Sequence, residues 1–373
     1  MTYYPGMDSI ADIEIFEARV PLKSPLKVGA SKISHRTYTV VRVTTTENIV
    51  GVGYCYSRGF PMGQIIEDVI SPIALGSSAE SPNDLRKEIL ALNWQSAEHG
   101  TFTAAISAVD IALHDIQAKR SDKSIASWLG SEITKIPVYS VVGYNYGEDE
   151  SGLIEEINRA LRLGVLSFKI IVGGDSPERD AKRVKLLRTM VGPNAHIGVD
   201  AFRTFKTLEN AIERVNRFRD HQIDFIEDPF LESEGVLSSA LRQATGVSVS
   251  YGESLASSKM VGQILAHNEC DIVRLDALVI GGVEEFLSAA SLANAKSKSY
   301  STHIHSEIHS QLAAAATNLY VGGLEYLDPY YEIDLFHHLL HSPIQIKDGS
   351  AVLSDDPGFG IEWDWDALLH YAK

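Results

Sequence analysis

The sequence predicts an α/β fold: a barrel of eight parallel strands whose last helix is missing, with a smaller domain attached. Three observations carry this. Apolar segments of strand length end one after another on an ionisable side chain, at Lys169, Asp200, Glu227, Glu253, Asp276, His303 and Glu325. From Asp200 onward these ends are 27, 26, 23, 27 and 22 residues apart, about the length of one strand, one helix and two short loops. At 373 residues the chain exceeds one ordinary domain, which leaves room for a barrel and a second unit.

Residues 13–20, 37–44 and 50–55 read as strands of an antiparallel meander, from their partial alternation and turn punctuation. Between the first two lies a polar loop, 23–36, carrying Lys32, His35 and Arg36, and after the third a loop, 56–61, carrying Arg58. Loops of this kind let a small domain reach over another domain's active site. From 62 to 129 the apolar residues recur at three and four, and the run 104–116 is apolar nearly all round, which predicts a buried helix. Asp110, His114 and Asp115 within it read as polar groups that satisfy one another at the domain junction. The barrel begins at 138–143, and strands alternate with helices to about 328. The expected division is a capping domain over 1–131, a barrel over 132–335 and a C-terminal segment, 336–373, returning to the capping domain through strand and turn material at 343–352 and 358–361.

The formal charge is −16 without a basic block, which argues against a nucleic-acid surface. No stretch approaches the roughly 18 apolar residues of a membrane span. The first residues lack a basic region leading into an apolar core, so a cytoplasmic location is expected. Cys55 and Cys270, without CxxC spacing, read as buried reduced thiols. So acidic a chain needs local cations or a metal to hold an anionic substrate.

Asp200, Glu227 and Glu253 end successive strands and therefore converge on one rim of the barrel mouth, where three carboxylates do not all stay ionised without a cation. Hard oxygen donors with room for water and substrate suit Mg²⁺ better than zinc. Asp276 and His303 end the next two strands; a hydrogen bond from one imidazole nitrogen to Asp276 fixes the other as a base of near-neutral pKa. Glu325 ends the last strand and lies near Lys169 around a closed ring. Metal, imidazole, carboxyl and ammonium together fit removal of a proton from carbon next to a carboxylate, the enediolate being held by the metal, Lys169 and protonated Glu325.

As an ordered set, Val199-Asp200, Ile226-Glu227-Asp228-Pro229, Tyr251-Gly252-Glu253, Asp276 followed by Ile280-Gly281-Gly282-Val283, Ser301-Thr302-His303 and Leu324-Glu325-Tyr326 resemble the enolase superfamily, specifically its mandelate racemase subgroup. The resemblance runs over nearly the whole chain. It implies a (β/α)7β modified TIM barrel with an α+β capping domain, Mg²⁺ on Asp200, Glu227 and Glu253, a His303–Asp276 dyad, specificity set by the two capping loops, and a symmetric homo-oligomer.

Three departures narrow the expected activity. The family's second strand commonly reads Lys-x-Lys, with the second lysine as an opposing base; here Lys169 is kept and that second position is Ile171. Two residues past the first metal ligand, often Asn, stands Phe202, with Arg203 beyond, which either narrows the site, faces an anionic substrate or forms a structural ion pair. The sixth-strand lysine of muconate-lactonising and dipeptide-epimerising relatives is absent. What remains resembles the acid-sugar dehydratases of the subgroup that work with the His-Asp dyad alone, acting on a small carboxylate, an aldonic or aldaric acid, with Arg58, His35, Lys32, Asn145 and Tyr146 as loop contacts. The alternatives are a racemase or epimerase in which Tyr144, Tyr146 or Lys169 replaces the missing base, and a catalytically retired barrel acting as a binding module.

Overall fold

The computed structural model describes residues 8–28, 31–97, 99–144, 149–174, 176–231 and 234–372, without the side chains at 27, 28, 31 and 32. Eight parallel strands form the barrel: β4 (Lys135–Val142), β5 (Ser167–Ile171), β6 (His196–Asp200), β7 (Phe225–Glu227), β8 (Ser248–Tyr251), β9 (Ile272–Leu275), β10 (Ser299–Thr302) and β11 (Leu324–Tyr326). They are hydrogen-bonded in sequence order from β4 to β10, and β11 pairs with the other edge of β4. A helix follows each of the first seven, from Ser151–Arg162 to Val283–Ala295 and Ser306–Ala315. The fold is thus a (β/α)7β barrel with a strand-built capping domain.

Period-two alternation sorts the strand residues into two layers. Phe168, Ile170, Ile197, Val199, Ile226, Val249 and Val273 face outward and are buried beneath the helices. Tyr139, Val141, Ile171, Phe225, Ile272 and Tyr320 fill the interior as a separate cluster, so the barrel is plugged below its mouth and only the strand ends are open to chemistry. Tyr320 closes the bottom, its hydroxyl donating to Asp224 at 2.6 Å and its ring meeting Phe225 edge-on. Gly198 makes room for this packing, because a Cβ there runs into the Phe225 ring. Gly198→Ala is therefore expected to cost about 1–3 kcal/mol by overpacking, read by urea denaturation; an unchanged midpoint would show that Phe225 has room to move.

Hydroxyl caps start the helices that carry the mouth loops. Ser176, Thr207 and Ser257 each accept a hydrogen bond from the backbone N–H three residues on, satisfying donors that a helix start otherwise leaves open.

The capping domain has an antiparallel sheet of β1 (Ile10–Val28), β2 (Ser31–Thr45) and β3 (Val50–Tyr56). The stretch 23–36, expected as a loop, is mostly strand: after an irregularity between Pro21 and Leu26 the pairing resumes as Leu26 with Ile33 and Val28 with Ser31. The helix Gly100–Arg120 lies on this sheet, buried on nearly every side. It approaches so closely that a Cβ at Gly51 or Gly53 meets the carbonyls of Ala112 and Ala108. Its polar residues stitch the molecule together. Asp110 accepts from His114 and from the Val283 N–H at 2.8 Å, and Asp115 accepts from Val52 at 3.0 Å and Phe359 at 2.8 Å.

The tail departs from expectation. Residues 343–352 do not return to the capping domain but form a hairpin, β12 (Gln345–Lys347) and β13 (Ser350–Val352), whose second strand pairs antiparallel with β4 of the barrel. Before it Phe336 stacks on Tyr54 of the capping sheet, and beyond it the Gly358 and Phe359 backbones bond to Lys123, Ile125 and Asp115 of the capping domain. Cys55 and Cys270 are free and buried. Among the described residues no helix is long and apolar enough to cross a membrane.

Candidate active site

Parallel register brings the ionisable strand ends together. Asp200 pairs with Glu227 across β6 and β7, Glu253 lies two residues past β8, and Asp276 and His303 follow the last residues of β9 and β10. His303 Nδ1 stands 2.7 Å from Asp276 Oδ2, leaving Nε2 toward the mouth, 3.5 Å from Glu253 Oε2. Burial works to raise the Asp276 carboxyl, but the hydrogen bond with His303 and the neighbouring histidines outweigh it and bring the pKa down to about 2. Asp276 is therefore a carboxylate that accepts the Nδ1 proton and sets the tautomer of His303.

The two nearby histidines differ from His303. His309 stands 2.7 Å from the Ile304 carbonyl through Nδ1 and accepts the Ala277 N–H at 3.0 Å through Nε2, so both nitrogens hold backbone. His305 is packed against Tyr54 and Phe336, and burial pulls its pKa from 6.5 to about 4, against the nearby Asp276 and Asp334 charges. Between pH 6.5 and about 4 the unfolded chain takes up a proton there that the folded chain refuses. Stability is expected to fall by up to about 1.4 kcal/mol per unit as pH drops through that window. In His305→Phe the difference in stability between pH 7 and pH 4.5 should shrink; an unchanged difference would place the acid lability elsewhere.

Lys169 and Arg274 fill the centre. Lys169 Nζ is bonded to Glu227, 2.6 Å from Glu325 and 3.5 Å from Asp200. Arg274 sends Nη1 to Glu227 at 3.0 Å, Nε to Glu253 at 2.9 Å and Nη2 to Glu325. Arg274 was not among the residues singled out from the sequence. The available signal was its place two before Asp276, which period two puts on the same inward face. Glu325 also accepts the Ile304 N–H at 2.6 Å. Although burial raises its carboxyl, Arg274 and Lys169 prevail and bring it to about 2, so in this arrangement Glu325 is an acceptor rather than the protonated donor expected. Burial instead raises Glu227 to about 8, with Arg274 and Lys169 opposing and Asp200 and Glu325 adding to the rise.

The backbone is strained at these strand ends. Phe202, Arg203, Asp228, Ile304 and His305 all have φ between 37° and 57°, a region that side-chain-bearing residues seldom adopt. Each follows a strand that carries one of the charged groups.

The remaining candidates separate. Phe202 packs on the edge of Tyr144, ring centres 5.9 Å apart, beside Ile171, so this part of the wall is mostly apolar, and burial pushes the Tyr144 phenol in it well above its ordinary value. Arg203 pairs with Asp228 at 2.6 Å and Glu253 at 3.3 Å. Arg58 lies over the Tyr56 ring and its charge helps hold Glu253 down. His35 is turned away to Ser34 and Arg19; its neighbour Arg36 faces the barrel instead, with Nε donating to the Ile333 carbonyl at 2.9 Å and Nη1 to Tyr56. The Lys32 side chain, Asn145 and Tyr146 lie outside the described residues.

The donor set can be tested against a hard divalent cation. Asp200, Glu227, Asp228, Glu253, Asp276 and Glu325 are all buried or nearly so and outnumber Lys169, Arg203 and Arg274. Asp228 Oδ1 is buried without a hydrogen-bond partner, and Glu227 is pushed toward protonation. The site is short of positive charge, and carboxylates at adjacent strand ends suit Mg²⁺. The fit requires rearrangement, because Arg274 lies among the carboxylates. Among the described residues the ligand atoms that gather within 4.8 Å are those of Glu332, His337 and His338, not of Asp200, Glu227 and Glu253.

Known proteins share this architecture. The chain is 26% identical over 368 residues to the L-talarate/galactarate dehydratase of Salmonella typhimurium, covering 95% of this chain and 89% of that one. It is 28% identical over 331 residues to an arabinonate dehydratase of Saccharolobus solfataricus (85% and 86%), and 26% identical over 373 residues to a chloromuconate cycloisomerase of Cupriavidus necator (95% and 96%). A Streptomyces coelicolor racemase crystallised with magnesium superposes with a TM-score of 0.89 at 23% identity (97% and 99%). An L-talarate dehydratase of Polaromonas complexed with Mg and L-glucarate gives 0.88 at 24% (98% and 97%). Residues 10–130 match the N-terminal domain of the mandelate racemase / muconate lactonizing enzymes, and residues 152–367 match the enolase C-terminal-like domain. Since those two matches take in both the capping sheet and the barrel with its strand-end carboxylates, the chain belongs to the mandelate racemase/muconate lactonizing enzyme family of the enolase superfamily.

Proposed function

We propose that the protein is a Mg²⁺-dependent lyase that dehydrates an acid sugar, an aldonic or aldaric acid, to its 2-keto-3-deoxy acid. The observation that carries this reading is a single base. His303 is oriented by Asp276 and turns Nε2 toward the mouth, 3.5 Å from Glu253, whereas Ile171 and Phe202 offer no base on the wall near Lys169 and burial pushes the Tyr144 phenol beside Phe202 well above its ordinary value, which makes it a poor one. Lys169 itself is bound to three carboxylates. A racemase working between two opposed bases needs a second group there; dehydration needs only one.

When bound by Asp200, Glu227 and Glu253, Mg²⁺ supplies Lewis acidity that makes the carbon next to a carboxylate acidic enough for histidine. His303 Nε2 takes the C2 proton while Asp276 holds Nδ1–H. The resulting imidazolium returns that proton to the C3 hydroxyl, which leaves as water, and the enol formed becomes the 2-keto acid. Lys169 places its ammonium beside the charge that develops on the carboxylate. Arg58 and Arg36, at the capping-domain side, supply the cations that a net-negative protein needs to hold an anion.

The talarate/galactarate and arabinonate dehydratases among the relatives support this reading, and the cycloisomerase at similar identity means that overall similarity does not choose the reaction. Proton NMR in D₂O with Mg²⁺ and pooled aldonic and aldaric acids tests it. A 2-keto-3-deoxy product is expected; deuterium entering C2 without loss of water would replace the proposal by racemisation or epimerisation.

A further inference from the structure

Away from the barrel mouth, the connection between β11 and β12 brings together Glu332, His337 and His338, whose ligand atoms lie within 4.8 Å of one another. We propose that these three residues form a second metal site, for a divalent transition ion of the Zn²⁺, Co²⁺ or Ni²⁺ class.

Local structure aims all three inward. Glu332 has a left-handed backbone, φ 55°, at the end of the turn Pro329–Tyr331. His337 and His338 lie on the turn Phe336–Leu339, which buries Phe336 and Leu339 and leaves the two imidazoles facing Glu332. His338 Nε2 is 2.8 Å from Glu332 Oε2, and His337 Nε2 is 3.4 Å from Oε1.

The partner of the other His337 nitrogen is informative. Nδ1 lies 3.0 Å from the Asp334 carbonyl, and a carbonyl only accepts, so Nδ1 carries the hydrogen. In the neutral ring Nε2 is then a lone pair directed at a carboxylate oxygen, an unfavourable contact that a cation between them turns into two bonds. An imidazole whose far N–H is anchored on a backbone carbonyl is also the usual setting of a histidine that binds metal. The three side chains are 17–30% exposed, which leaves an entry path and a position for water. The competing cation in the described structure is Lys23, 3.9 Å from Glu332 on a side chain 79% exposed.

Two imidazoles and one carboxylate favour transition ions over Mg²⁺, so this site and the carboxylate site select different metals. The residues between these two turns offer the Ile333 carbonyl to Arg36 and Asp334 Oδ1 to the Tyr38 hydroxyl at 2.6 Å. A bound ion would therefore fasten the capping sheet to the end of the barrel.

The test is Co²⁺ titration of the full-length protein in excess Mg²⁺, followed by calorimetry and visible absorption. Wild type is expected to bind one equivalent and gain thermal stability, Glu332→Gln and His338→Ala to lose about tenfold or more in affinity, and Asp200→Asn to keep the Co²⁺ spectrum. Glu332→Gln keeps the side-chain shape, so it decides the matter should His338→Ala fold poorly. The proposal is overturned if wild type binds no Co²⁺ in excess Mg²⁺, if Glu332→Gln binds it as tightly as wild type, or if Asp200→Asn alone abolishes the signal.

Discussion

His303→Asn should lose about 10³-fold or more in turnover, together with all deuterium exchange at C2, while keeping its fold and its Mg²⁺ binding. The magnitude follows from removing a positioned general base, which contributes about 10²–10⁴-fold. Asparagine still places a nitrogen within reach of Asp276, so the buried carboxylate keeps a partner and the loss reports chemistry rather than collapse. The measurement is NMR in D₂O with the acid identified by the library screen. Residual exchange at a wild-type rate would mean that another group takes the proton. Full turnover in the variant would mean that His303 is not the base.

Arg274→Met should destabilise the metal-free protein by about 3–5 kcal/mol, the usual result of removing one partner from a buried charge cluster. Glu227, Glu253 and Glu325 all lose a guanidinium contact at once, and Arg274 is itself buried. Mg²⁺ should restore part of the loss, about 2.7 kcal/mol at a hundredfold excess over its Kd, because the ion answers the same carboxylates. It should also bind more tightly to the variant, from which the competing guanidinium has gone. Urea denaturation with and without Mg²⁺ reads both effects. Equal stability of variant and wild type without Mg²⁺ would show that the carboxylates are neutralised by protonation instead.

How much of this was legible beforehand varies by element. The barrel was, because a parallel βα repeat writes both its period and its polarity into the chain: apolar strand, charged end, amphipathic helix. The capping hairpin was not, since Pro21, Pro25 and the polar residues around them look like loop, and only pairing of Leu26 with Ile33 makes them strand. The tail hairpin was assigned to the wrong domain for a similar reason. Residues 345–352 have strand character, but which edge they join depends on where β4 begins.

The sequence by itself determined the array of charged strand ends and the His303–Asp276 pair, since parallel register carries such residues to one rim. The tertiary structure decided which charges meet. Arg274 reaches partners 47, 21 and 51 residues away, and Lys169 holds one 58 residues away. Hydrogen-bonded ion pairs of this kind form only when donor and acceptor come within about 3 Å, a scale that strand spacing alone does not resolve. That is why Arg274 emerged only from side-chain geometry, and why Glu325, read as an acid from its place on the last strand, is found between two cations, Arg274 and Lys169, that pull its carboxyl down.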